Sequence, residues 1–166
     1  MENESKAFTQ ASPLMDPALS RPRLPLGEAA GRSAVKRWSA RQAEWAILRS
    51  SSINGLIVGA PHLTAAAMAL LEKGGRQPIV WWDPEETSDI PDMIAGTLVI
   101  DDVECLDKSQ QEHLSHWIGV HGSAVRVLAL ARAPLFAQVT DGRFSASLYY
   151  RINTVTVEMR APADMP

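Results

Sequence analysis

Three groups of residues in this 166-residue chain combine reactive side chains with a spacing that matters. The first is Gly59-Ala60-Pro61-His62-Leu63-Thr64-Ala65-Ala66, which stands between an apolar run and an alanine-rich one. A phosphate loop, Gly-x-x-x-x-Gly-Lys-Ser/Thr, joins strand to helix in such a slot. Its glycines let N–H groups wrap the phosphates, its lysine neutralises charge and its hydroxyl holds Mg²⁺. Here Gly59 supplies the first glycine, but Thr64 stands at the second, and Ala65 and Ala66 replace the lysine and the hydroxyl. A hydrogen bond to a charged group contributes about 1.5–3 kcal/mol, so losing the lysine alone lowers affinity by about 10- to 150-fold. Tight ATP binding is not expected. A helix N-terminus still offers N–H groups to an anion, and His62 adds a ring that is cationic when protonated.

The second group is Asp101-Asp102, an acidic pair that follows the apolar run ending at Ile100. In a parallel sheet this is the strand end where ligands collect. The third is Cys105, His113, His116 and His121. Zinc needs about four converging ligands, and a His-x-x-His pair beside Trp117 on an amphipathic helix is commonplace, so no metal centre is expected.

The elements that must position these residues alternate between helical and extended patterns. Ser33 is a plausible cap for a helix over 34–50, with Val35, Trp38, Trp45 and Leu48 on one side. Residues 53–59 read as a buried strand. Residues 63–73 read as a helix stopped by Gly74-Gly75. Strands follow at 79–82, 97–101, 125–131 and 153–159. Ser109 can cap a helix to Ile118, and short helices fit 135–139 and 144–151. Trp81 and Trp82 should face opposite sides of their strand. The acidic run from Asp83 to Asp89 reads as a solvated turn leading into a short helix. Short apolar strands separated by helices indicate a parallel sheet covered on both faces. The proline-rich residues 1–32 bury too little to fold and read as a tail, and 161–166 as a frayed end.

The net charge of −3 gives no basic footprint, so direct DNA binding is not expected. A single cysteine fits a reducing compartment, no apolar run spans a membrane, and the Met-Glu-Asn-Glu start is unlike a secretory signal. A cytoplasmic protein is the expectation.

Two further stretches carry a family resemblance. Gly96-Thr97-Leu98-Val99-Ile100-Asp101-Asp102 is similar to the GGTLFLDE of a Walker B strand. Asp141-Gly142-Arg143-Phe144-Ser145-Ala146-Ser147-Leu148-Tyr149-Tyr150-Arg151-Ile152-Asn153 is similar to GRFREDLYYRLN. In that order they resemble the AAA+ domain of sigma-54-dependent transcriptional activators, over residues 34–160. The resemblance implies a three-layer αβα sandwich with a five-stranded parallel P-loop NTPase-type sheet over residues 33–160. It places Asp101 at the metal-coordinating aspartate and Asp102, one methylene short, at the glutamate that activates water. Structurally, the two carboxylates are expected to cap the strand end and the region of Leu106. The resemblance also sets Ala131-Arg132 at the polar sensor pair, Ser145 at one arginine-finger position and Arg151 at the other.

The family's GAFTGA loop lies between its second strand and Walker B, where only residues 83–95 stand here. The resemblance is closest to the short subfamily lacking that loop. A helical lid and a helix-turn-helix are not expected after the fifth strand in this sequence. The acidic pair also resembles a response-regulator receiver, but it falls too late in the chain for that fold.

The expected function is that of a pseudo-ATPase, a regulatory or protein-interaction module in bacterial transcription. Its partner would be an intact AAA+ activator or a second copy, met through the surface around residues 144–151. The alternative is a weak ATP/Mg-binding protein that uses Asp101, Asp102 and Arg151 and depends on a partner subunit. Gly59, His62 and Thr64 would then be what remains of its phosphate loop.

Overall fold

The computed structural model describes residues 42–72 and 75–159. The expected cap Ser33, the start of its helix, Lys73, Gly74 and the stretches 1–32 and 161–166 lie outside the described residues. Helix α1 (Gln42–Ser50) leads to β1 (Gly55–Val58), α2 (Pro61–Leu71), β2 (Ile79–Trp82) and β3 (Gly96–Ile100). Then come α3 (Lys108–His121), β4 (Val125–Ala131), α4 (Phe136–Thr140), α5 (Ala146–Ile152) and β5 (Val155–Glu158). The five strands pair in parallel in the order β2-β3-β4-β1-β5. The sheet is the five-stranded parallel one expected.

Strand alternation builds its two cores. On β4, Val125, Val127, Ala129 and Ala131 join one core, while Leu128 and Leu130 join the other. The first core meets Leu114 and Ile118 of α3 and Leu148 and Ile152 of α5. The second meets Leu48 of α1 and Leu63, Met68 and Leu71 of α2. Helices therefore cover both faces, giving three layers. Trp82 is buried in the first core and Trp81 packs against the second, on the opposite faces expected.

Several local expectations are corrected. Helix α2 starts at Pro61 rather than Leu63, because proline has its φ preset for a first helical position. Asp107, not Ser109, caps α3: its carboxylate accepts from Gln110 N–H at 2.8 Å, and Gln110 Oε1 accepts from Asp107 N–H at 2.9 Å. That helix continues past Ile118 to His121. No helix forms within residues 83–95. The Asp83 carboxylate accepts from Glu85 N–H at 2.8 Å and holds a turn instead. Phe144 is buried ahead of α5 rather than inside it, and Ser145 caps the helix by accepting from Leu148 N–H.

Arg126 is buried on β4 although strand periodicity gives no hint of its partners. Its Nε donates to Ile53 O at 2.9 Å and its terminal nitrogen to Leu48 O at 2.5 Å. Burial lowers its pKa, yet the carbonyls near the end of α1 give the charge a favourable partner. This ties α1 to the amino-terminal edge of the sheet.

Candidate functional site

The carboxyl-terminal edge of the sheet gathers Gly59, His62, Asp101, Asp102 and Arg132. The connection from β1 to α2 is only Gly59 and Ala60. Helix therefore begins where a phosphate loop would still be wrapping its ligand. Leu63 and Thr64 N–H both donate to Ala60 O, at 2.8 and 3.1 Å, and Pro61 has no N–H to give. Thr64 is buried in α2, and its hydroxyl donates to Pro61 O at 3.0 Å. His62 is exposed on the first turn.

Gly59 serves packing. A Cβ there would lie 2.7 Å from Met159 Cβ and 2.9 Å from Met159 O. The backbones meet this closely because Gly59 N–H donates to Ala131 O and Met159 N–H to Val58 O.

The acidic pair is spoken for. Asp101 Oδ1 accepts from Asp102 N–H at 3.1 Å. Burial first, then the charge of Asp102, holds the Asp101 carboxyl above its ordinary 3.8. Asp102 turns into the left-handed region at φ 43°, which aspartate tolerates better than most residues. Its carboxylate accepts from both Nε and a terminal nitrogen of Arg132, the former at 2.8 Å. Arg132 N–H donates to Glu104 Oε1 at 2.7 Å. The expectation that both carboxylates cap the strand end and the region of Leu106 is thus corrected for Asp102. The signal for this pairing was Arg132 standing in a position where the resemblance calls for a polar, uncharged residue.

Arg151 is not brought to this edge. It is exposed on α5, and its carbonyl accepts from Asn54 Nδ2 at 3.0 Å, just ahead of β1. Strand β1 rises about 13 Å over its length, so Arg151 belongs to the opposite end of the sheet from Asp101.

Its helix is set by Gln111, which sequence reading missed. Gln111 is buried; its Nε2 donates to Leu106 O at 2.8 Å and Arg143 O at 3.1 Å, while its Oε1 accepts from Ser145 N–H at 2.7 Å. The available signal was a glutamine in register with Leu114 and Ile118 on the apolar side of α3. Around α5 the surface carries Tyr150 and Phe136, 68% and 58% exposed, with Tyr149 between them.

Cys105, His113 and His116 are exposed, and His121 stacks on Trp117 with its Nδ1 2.9 Å from Trp117 O. Among the described residues no three His, Cys, Asp or Glu side chains converge on a possible metal position. Although Cys105 is exposed, partial desolvation first and then Glu85 and neighbouring carboxylates push its thiol up to about 11, so it is a poor nucleophile.

A magnesium-bound nucleotide does not fit these residues: the cradle is helical, the Thr64 hydroxyl is used and Asp102 is neutralised.

No curated protein sequence matches the chain. Among solved structures, the P-loop NTPase domain of the sigma-54 transport activator from E. coli is similar, with a TM-score of 0.58 at 23% identity over 72% of this chain and 93% of that one. NtrX from Brucella abortus, in complex with ADP, gives 0.56 at 16% identity over 71% of this chain and 34% of its own. NtrX in complex with ATP gives 0.54 at 16% identity, over 84% and 39%. The chain thus spans little more than a third of NtrX, and these likenesses establish the P-loop NTPase fold alone. Membership is decided by sequence: the model of the sigma-54 interaction domain matches residues 63–161, more than half of the chain, and the chain belongs to that family.

Proposed function

We propose that this chain is a catalytically degenerate sigma-54 interaction domain that works as a regulatory protein-interaction module in bacterial transcription control, in the cytoplasm. The observation that carries the reading is the direct entry of β1 into α2 through Gly59 and Ala60, which leaves no loop to surround a phosphate. Support for an interaction role comes from the exposed surface of α5, where Tyr150 and Arg151 stand beside Phe136 on α4. Its partner is an intact AAA+ activator or a second copy of this chain.

The weak ATP-binding alternative draws support from Arg151, which is exposed and able to reach a neighbouring subunit's ligand rather than its own. Calorimetric titration with ATP and ADP, with and without Mg²⁺, separates the two readings. Absence of heat and of thermal stabilisation up to millimolar nucleotide is the expected result. Micromolar binding would overturn the pseudo-ATPase reading.

A further inference from the structure

We infer that the guanidinium of Arg132 supplies the positive charge that the strand-end carboxylates would otherwise take from a divalent cation. The carboxyl-terminal edge is thereby held in one conformation without a ligand. The inference rests on the misfit of magnesium and nucleotide that underlies the proposed function, and it goes further by naming what fills the role.

Both the side chain and the backbone of Arg132 take part. The planar fork offers two parallel donors to Asp102, a match that a lysine ammonium does not reproduce. The N–H of the same residue engages Glu104, so one residue collects two carboxylates from the 3-10 turn region after β3. Asp102 adopts its left-handed backbone in this arrangement, with Asp101 bonded to its N–H. The second oxygen of Glu104 is buried and has no hydrogen-bond partner among the described residues, and the charge of Glu104 also acts on the Arg132 guanidinium. A cation seated between Asp101 and Asp102 would have to displace Arg132, because two positive charges cannot share that space.

The test uses the full chain at low ionic strength, with Mn²⁺ alone as the probe. Free Mn²⁺ is read by electron paramagnetic resonance and stability by thermal melting. The wild type is expected to take up no Mn²⁺ at millimolar concentration and to show no melting shift. Arg132→Ala should melt about 2–4 °C lower and regain at least half of that loss on adding Mn²⁺. Arg132→Lys, which keeps charge without the fork, should lose less and still take up no Mn²⁺, and Arg132→Gln, which removes the charge with less loss of length, provides the reading if Arg132→Ala does not fold. The double variant Asp102→Asn with Arg132→Ala should gain much less from Mn²⁺ than Arg132→Ala, since the carboxylate that Arg132 grips is gone while Asp101 and Glu104 remain. Mn²⁺ uptake by the wild type, or an uncharged Arg132 variant whose loss Mn²⁺ does not restore, would overturn the inference. Neither result bears on the nucleotide titration, so the two ideas fail separately.

Discussion

Asp101 and Asp102 are neighbours in sequence and opposites in circumstance. Asp102 has a guanidinium across from it, whereas Asp101 is desolvated and faces the charges of Asp102 and Asp83, with Arg132 a weaker opposing influence. Because its folded-state pKa lies above the ordinary 3.8, the folded chain holds this proton more tightly than the unfolded one. The corresponding stability is present below about pH 3.8 and is lost as pH rises through the folded value. Asp101→Asn mimics the protonated form and keeps the acceptor for Asp102 N–H. It is expected to melt higher than wild type at pH 7, with the difference disappearing below about pH 3.8; paired melting curves across that range check it. The carboxylates themselves were plain in the sequence, but their unequal fates were not. Burial and the reach of Arg132 across 30 residues of chain set those fates, and neither is a local property.

Among the elements, α5 shows how a surface is aimed. Ser145 caps it, but the direction in which it leaves the core depends on Gln111 bonding Ser145 and Arg143 from α3. Gln111→Leu keeps the volume and removes three hydrogen bonds to main-chain groups, so it should destabilise the fold by about 2–3 kcal/mol. Chemical denaturation measures that loss. Amide exchange in residues 144–152 should quicken more than in α2, which Gln111 does not touch. The existence and approximate limits of these helices were legible from apolar spacing. The error at the start of α3 arose because Ser109 and Asp107 are both good caps, each with a capping-box partner three residues on, Glu112 and Gln110, and the reciprocal pair closes at Asp107. The helix expected within residues 83–95 failed for a related reason, an aspartate side chain competing for backbone N–H groups.

For the whole molecule, the parallel sheet with a helix layer on each face concentrates stability in the centre. Strands β3, β4 and β1 each have two neighbours, while β2 and β5 have one within the described sheet. Amide exchange followed by mass spectrometry should therefore be slowest in β4 and its two neighbours and faster in β2 and β5. Close backbone approaches reinforce the frame: at Gly96, with φ +118°, a Cβ would fall 2.3 Å from Pro78 O, and only glycine meets both demands.

The sequence by itself determined the architecture and the family, because alternation of apolar strands with helices and two ordered motifs are written locally along the chain. It also showed that the stretch Gly59 to Ala66 carries no lysine of the kind a phosphate loop uses. Tertiary structure alone decided that the slot after β1 is helical from Pro61 and that Arg132 neutralises Asp102. It also decided that Arg151 and the acidic pair occupy opposite ends of the sheet. Those outcomes depend on which residues meet across strands and layers, and distance in space is not encoded by spacing along a chain.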